Sequence, residues 1–200
     1  MKKVGTIIII ISIAMILFYL MYMYMENKHI KEDANNYIEQ TSIIDNNNEE
    51  TNDEKIDIKE EKPITINYTA VLEIPSINLK QGVVDSTKNF NSINYAVSVD
   101  RNSNYPNVMG NFILYAHSGN SKIAFFNKLH KLNKNDDIYV FYNGVKYQYK
   151  VSNKYNIEKT GSAEVIVTNK DKYITLITCN QQEKGKQIVV IGKIYSESIY

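Results

Sequence analysis

Apolar positions fall into three regimes along the chain. From Val4 to Met25 no residue carries a charge, and all but Gly5, Thr6 and Ser12 are hydrophobic. As an α-helix rising about 1.5 Å per residue, this run would span roughly 33 Å, enough to cross a bilayer core about 30 Å thick. Residues 26–66 read as a stalk. They are rich in Asn, Glu, Asp and Lys, with no Gly and a single Pro63. A stretch such as Asn46-Asn47-Asn48-Glu49-Glu50 has too little apolar surface to offset the entropy of ordering it. The one element this segment allows is a short helix near Ala34–Ile44.

From about Tyr68 the pattern turns to short β-rich runs. Ala70 to Ile74 is halted by Pro75, and Ile77, Leu79, Val83 and Val84 indicate a second strand. Asn111 to Ala116 follows Gly110. Ile138–Tyr142 and Val145–Val151 flank Asn143-Gly144, a strong hairpin signal because both central residues must take φ > 0. Tyr173–Thr178 and Gln187–Ile194 complete the set. The spacing predicts one helix over Ser121–Leu132, where Ile123, Phe126 and Leu129 recur every three residues. Many short strands with turn signals between them predict a mainly β fold, a closed barrel of seven or eight strands with a short helix or two. The chain divides into residues 1–25, 26–66 and a folded domain at 67–200.

Charge adds a direction to this plan. The net charge is +1, but residues 26–66 hold 12 acidic and 5 basic residues, while 67–200 hold 10 acidic and 16 basic. An acidic stalk thus carries a mildly basic domain, which favours an anionic neighbourhood such as a lipid surface or an acidic wall. Nucleic acid is not an expected partner, because a pI near 7.7 is far from the roughly 9 typical of nucleic-acid-binding domains. Lys2 and Lys3 precede the apolar run and Glu26 follows it, so the positive-inside bias puts the N-terminus in the cytoplasm and the domain outside. The run is longer than a cleavable signal and ends without an Ala-x-Ala site, which reads as a single-pass signal-anchor. Tyr19, Tyr22 and Tyr24 suit the outer interface. Some 175 residues remain outside the apolar run, which excludes a multidomain enzyme and a multi-span transporter.

One cysteine, Cys179, ends the segment Ile174-Thr175-Leu176-Ile177-Thr178-Cys179, with the polar loop Asn180-Gln181-Gln182-Glu183-Lys184 directly after it. Strand alternation puts Thr175, Ile177 and Cys179 on one face. A lone cysteine is ordinarily a small buried hydrophobe, but a strand end beside a polar loop places this sulfur near solvent. His117 ends another strand in the same way, in Leu114-Tyr115-Ala116-His117-Ser118-Gly119. An imidazole can take the thiol's proton and later return one to a leaving amine. A Cys and His far apart in sequence are what a thiol-nucleophile site looks like along a chain. His130 reads as solvent-facing and His29 as part of the stalk. Zinc-ligand spacing, a phosphate-binding glycine loop and a Gly-x-Ser-x-Gly elbow are missing from the sequence.

These residues resemble a known family. Thr175-Leu176-Ile177-Thr178-Cys179 looks like the Thr-Leu-x-Thr-Cys signature of the sortases, transpeptidases that anchor proteins to Gram-positive cell walls. Asn111 to Gly119 resembles the family strand that ends in its catalytic His. Ile74-Pro75-Ser76-Ile77 is similar to its Ile-Pro-x-Ile. Phe126-Asn127-Lys128-Leu129 through Asp137-Ile138-Tyr139-Val140 resembles its helix and following strand. The resemblance implies an eight-stranded closed barrel, nearer class A or D than class B or C. It further implies that Cys179 attacks a backbone carbonyl in a C-terminal sorting signal of Leu-Pro-x-Thr-Gly type. An amine of a peptidoglycan precursor or pilin then resolves the thioacyl enzyme, with His117 as acid and base. Some members bind calcium near the equivalents of Glu158 and Glu164; no metal or other cofactor is expected here.

One position departs from the family. Sortases carry an arginine just before the strand that follows the Cys loop, and here that place holds Gln187. The sole arginine of the chain is Arg101, far upstream. The candidates for oxyanion and substrate binding are therefore Gln187, Lys186 and Thr178, with alternation turning Lys186 away from the thiol unless the strand bulges. The loss leaves two readings open, a transpeptidase and a catalytically weak or inactive tethered module that binds sorting signals. An L,D-transpeptidase would instead show a Ser-His-Gly-x-x-Asn-Cys-like context, which is missing.

Overall fold

A computed structural model of the chain describes residues 2–42, 67–87, 92–160 and 170–200. It consists of helix α1 (Lys2–Ser42) followed by eight strands: β1 (Ala70–Ile74), β2 (Leu79–Asp85), β3 (Val97–Val99), β4 (Gly110–Tyr115), β5 (Asp137–Tyr142), β6 (Val145–Glu158), β7 (Lys172–Cys179) and β8 (Lys186–Ile199). The strands close into a barrel in the order β1-β2-β3-β4-β7-β8-β6-β5. This is the closed barrel that the strand pattern anticipates, with the eight strands that the resemblance implies. Of its strands, only the three-residue β3 gives no signal of its own, being too short to alternate.

Alternate positions fill the barrel. Leu72 and Ile74 of β1, Phe112 and Leu114 of β4, Ile138 and Val140 of β5, Tyr147 and Tyr149 of β6, Ile174 and Leu176 of β7 and Ile188 and Val190 of β8 belong to one buried cluster. The β5–β6 hairpin turns on Asn143 (φ 48) and Gly144 (φ 74), the paired positive φ values of a two-residue I′ turn. The barrel has two rims. The ends of β1, β4, β6 and β7 and the starts of β2, β5 and β8 form a lower rim; the Asn143-Gly144 hairpin and Tyr200 stand at the upper rim.

Two elements differ from the sequence expectation. The stretch Ser121–Leu132 is a chain of turns ending in a 3₁₀ turn, Leu129–Lys131, rather than an α-helix. Its backbone bonds run Ala124 to Ser121, Asn127 to Ala124, Leu129 to Phe126 and Leu132 to Leu129, all of i→i−3 type. The three-residue recurrence of Ile123, Phe126 and Leu129 is the 3₁₀ period, not the α period of 3.6. The second difference is the length of α1, which continues through Ser42 into the stretch read as stalk. Ala34, Tyr37, Ile38 and Thr41 recur at helical spacing, and Ala34, Tyr37 and Ile38 pack on Val71, Tyr139, Phe141 and Tyr200 on the outside of β1 and β5. Tyr37 donates to Thr69 O at 2.5 Å, and Thr41 Oγ1 lies 2.6 Å from the Tyr200 hydroxyl. The polar second half of α1 needs this docking stripe, which becomes visible only beside its partner wall. Residues 43–66 lie outside the described residues.

Within the apolar run, the described side chains, Ile9 to Met25, are nearly all exposed; those of residues 1–8, which begin the expected span, lie outside the described residues. Among the described residues no helix is long and apolar enough to cross a membrane.

Candidate functional site

Strands β4 and β7 run parallel, with Tyr115 level with Ile177 as the last paired residues. The pairing continues past the strand ends. The Ala116 N–H donates to Ile177 O at 3.4 Å, Thr178 Oγ1 donates to Ala116 O at 2.8 Å, and Ser118 Oγ donates to Cys179 O at 2.5 Å. Extending this register by two residues sets His117 level with Cys179, on neighbouring strands about 4.8 Å apart. Phe112, Leu114 and Ala116 point inward from the β4 side, and Ile174 and Leu176 from β7, so alternation turns both His117 and Cys179 to the outer face. Both are half-buried. The sulfur is thus neither sealed in the core nor far from the imidazole.

Gln187 of β8 is paired directly with Cys179. The Asn180 N–H donates to Lys186 O at 2.9 Å, which makes 180/186 a hydrogen-bonded pair and the adjacent 179/187 a non-hydrogen-bonded one. Such pairs hold their Cα atoms only about 4.5 Å apart, so the carboxamide of Gln187 stands beside the thiol. No bulge interrupts β7–β8, and Lys186 consequently faces the other way. Its ammonium pairs with Glu183 Oε2 at 2.9 Å, a bond that raises its pKa above the usual lysine value. Thr178 also departs from the expected role. Its side chain points inward and is buried, and its hydroxyl is spent on the Ala116 carbonyl, so it fixes the end of β4 rather than facing a groove. Arg101 follows Asp100, whose N–H donates to Ile113 O, about four residues or roughly 13 Å back along β4 from His117.

Two residues that sequence reasoning passed over tie this rim together. Asn180 is buried; its Oδ1 accepts from the N–H groups of Gln182 (2.8 Å) and Glu183 (3.3 Å), and its Nδ2 donates to Asn156 Oδ1 (3.3 Å). Ser118 accepts from Gln181 Nε2 at 3.0 Å while donating to the Cys179 carbonyl, so the loops after β4 and β7 are laced across the thiol. An Asn at the first loop position, where its side chain can close an Asx-turn, was the available signal for the former. The His117 carbonyl accepts from the buried Phe126 N–H at 3.0 Å, which anchors the turn segment to the same rim. His130 is half-buried rather than solvent-facing, with Nδ1 3.1 Å from Asn127 O, and lines a pocket with Asn180, Gln182 and Glu183 of the loop after β7. Among the described residues no group of three or more His, Cys, Asp or Glu could hold a metal ion; Glu164 lies outside them.

The arrangement sets a thiol beside an imidazole on the outer wall of a closed barrel, with a carboxamide opposite. A family model for the sortase domain matches residues 72–194. The chain belongs to the sortase family. Sortase A of Bacillus anthracis is 31% identical to this sortase over 126 residues, 62% of this chain and 58% of the relative. Sortase A of Listeria monocytogenes is 29% identical over 124 residues, covering 62% and 54%. The chain spans little more than half the length of these curated relatives. The crystal structure of the Listeria monocytogenes sortase A superposes with a TM-score of 0.58 at 26% identity, covering 66% of this chain and 90% of that one.

Proposed function

We propose that the chain is a cysteine transpeptidase that cleaves a C-terminal sorting signal of Leu-Pro-x-Thr-Gly type and joins the released acyl group to a cell-wall or pilin amine. The observation that carries this reading is the parallel β4–β7 register, which sets His117 level with Cys179 on one outer face. In the reaction the Cys179 thiolate adds to the scissile carbonyl carbon. The tetrahedral oxyanion is met by the Gln187 carboxamide, which stands where relatives use arginine. The C–N bond breaks, His117 protonates the departing amine, and a thioester remains on Cys179. An incoming amine gives its proton to His117, attacks the thioester carbon, and releases the thiolate with a new amide bond. Membership of the family and two sortase A relatives support a class nearer A or D than B or C. The apolar, exposed start of α1 supports a single-pass membrane anchor with a cytoplasmic N-terminus and the barrel outside.

The test is incubation of the full chain with a library of sorting-signal peptides, followed by mass measurement of Cys179. A thioacyl adduct that disappears on adding an amine is the expected outcome. A thiol that alkylates readily but never loads with any peptide overturns the transpeptidase reading. One observation, Gln187 in the arginine place, favours a second reading in which the barrel binds sorting signals without cleaving them. Tight peptide binding unaffected by Cys179→Ala, with no cleavage at any time, selects that reading.

A further inference from the structure

Helix α1 touches the barrel at both rims. Thr41 meets Tyr200 at the upper rim. At the lower rim Lys122 Nζ donates to the Tyr22 hydroxyl at 3.1 Å and sits 4.4 Å from its ring centre, and Met23 helps line a cavity of about 470 Å³ with Ile77, Leu79 and Phe125. Nineteen residues separate Tyr22 from Thr41, so the helix runs about 29 Å along the wall. The helix before Tyr22, exposed and apolar from Ile9 onward, projects past the lower rim. That rim is the one that carries Cys179, His117 and Gln187. It is also basic on the helix side, where residues 118–136 hold exposed Lys122, Lys128, Lys131 and Lys134 against a single carboxylate, Asp136.

We propose that the barrel stands end-on upon an anionic phospholipid surface, lower rim down, with these lysines on the headgroups and the Cys179 face opening at headgroup level. The proposal rests on the membrane-anchor reading of α1. A helix that is still bound to the barrel at Tyr22 when it enters the apolar layer has no spacer to hold the domain away. Tyr22 and Lys122 make the pair that suits an interface, an amphipathic ring beneath a long, exposed cation. Lysines near an anionic leaflet each favour contact by about five-fold at physiological salt. The consequence is positional. A substrate held at the lipid surface meets the thiol without leaving it.

The test uses the full chain with Cys179→Ala, reconstituted into nanodiscs of equal phosphatidylglycerol and phosphatidylcholine or of phosphatidylcholine alone. A donor dye is attached at Asn120→Cys on the lower rim or Asn107→Cys in the loop before β4 on the upper side, and energy transfer to headgroup-labelled lipid is read. Strong transfer from position 120 and weak transfer from 107 is expected, reflecting a height difference of about 25–30 Å. Lys122→Glu, Lys128→Glu and Lys131→Glu together, or 1 M salt, weaken the position-120 signal on the anionic discs, as does phosphatidylcholine alone. Inserted protein with equal transfer from both positions overturns the end-on placement alone. Protein recovered entirely free of lipid overturns the anchor reading and this proposal with it.

Discussion

Gln187→Arg tests the chemistry of the site most directly. The residue is paired across a non-hydrogen-bonded position from Cys179, so a guanidinium placed there reaches the same space as the present carboxamide. A hydrogen bond from a neutral donor is worth about 0.5–1.5 kcal/mol and one from a charged group about 1.5–3 kcal/mol. The difference, about 1–1.5 kcal/mol, applies to an oxyanion present only in the transition state. It therefore enters kcat/KM through kcat and raises the rate about ten-fold. Gln187→Ala removes the donor and lowers the rate by about two- to ten-fold. The assay is continuous cleavage of a quenched sorting-signal peptide by the full chain, with circular dichroism confirming that each variant folds. If arginine and alanine both leave kcat/KM unchanged in folded protein, Gln187 does not face the reacting carbonyl and the proposed oxyanion site is wrong.

Thr178→Val strands the buried Ala116 carbonyl and destabilises the barrel by about 1–3 kcal/mol, read as a lowered melting temperature; because the same bond fixes the strand end before His117, kcat falls as well, and Thr178→Ser restores both. The Tyr37 hydroxyl, pushed up to about 12 by burial and by Tyr200 and Tyr142, titrates near 10 once the helix leaves the wall. Its contribution to docking is therefore intact below pH 10 and is lost as pH rises from 10 toward 12. Tyr37→Phe abolishes that dependence, and absorbance titration of tyrosinate checks it. Asp137 is held below the usual carboxylate value, first by its hydrogen bond from Lys150 and then by that from Gln148. Its stabilisation is present above the ordinary aspartate pKa of 3.8 and is lost as pH falls below it. In thermal melts across that range Asp137→Asn flattens the acid limb, and an unchanged limb refutes the assignment.

Local chemistry alone makes much of this protein legible. Ala70–Ile74 stopped by Pro75, the Asn143-Gly144 turn and the alternation around Cys179 depend on backbone sterics and on which face a side chain takes, and both are properties of a few adjacent residues. Alternation in β7 and β8 likewise separates Gln187 from Lys186 without knowledge of the partner strand. Other features require two distant segments at once. Thr178 looks like any polar strand residue until the Ala116 carbonyl is set beside it. The recurrence of Phe126 every three residues reads as α or 3₁₀ alike, and its bond to the His117 carbonyl favours the turn. Ala34, Tyr37 and Ile38 form a stripe whose worth depends on Val71 and Phe141 lying opposite. Pairing of β7 between β4 and β8 is what brings positions 117, 179 and 187 onto one rim, while α1 docks on the wall of β1 and β5. Pairings so far apart along the chain are decided by non-local packing, which no window of sequence contains.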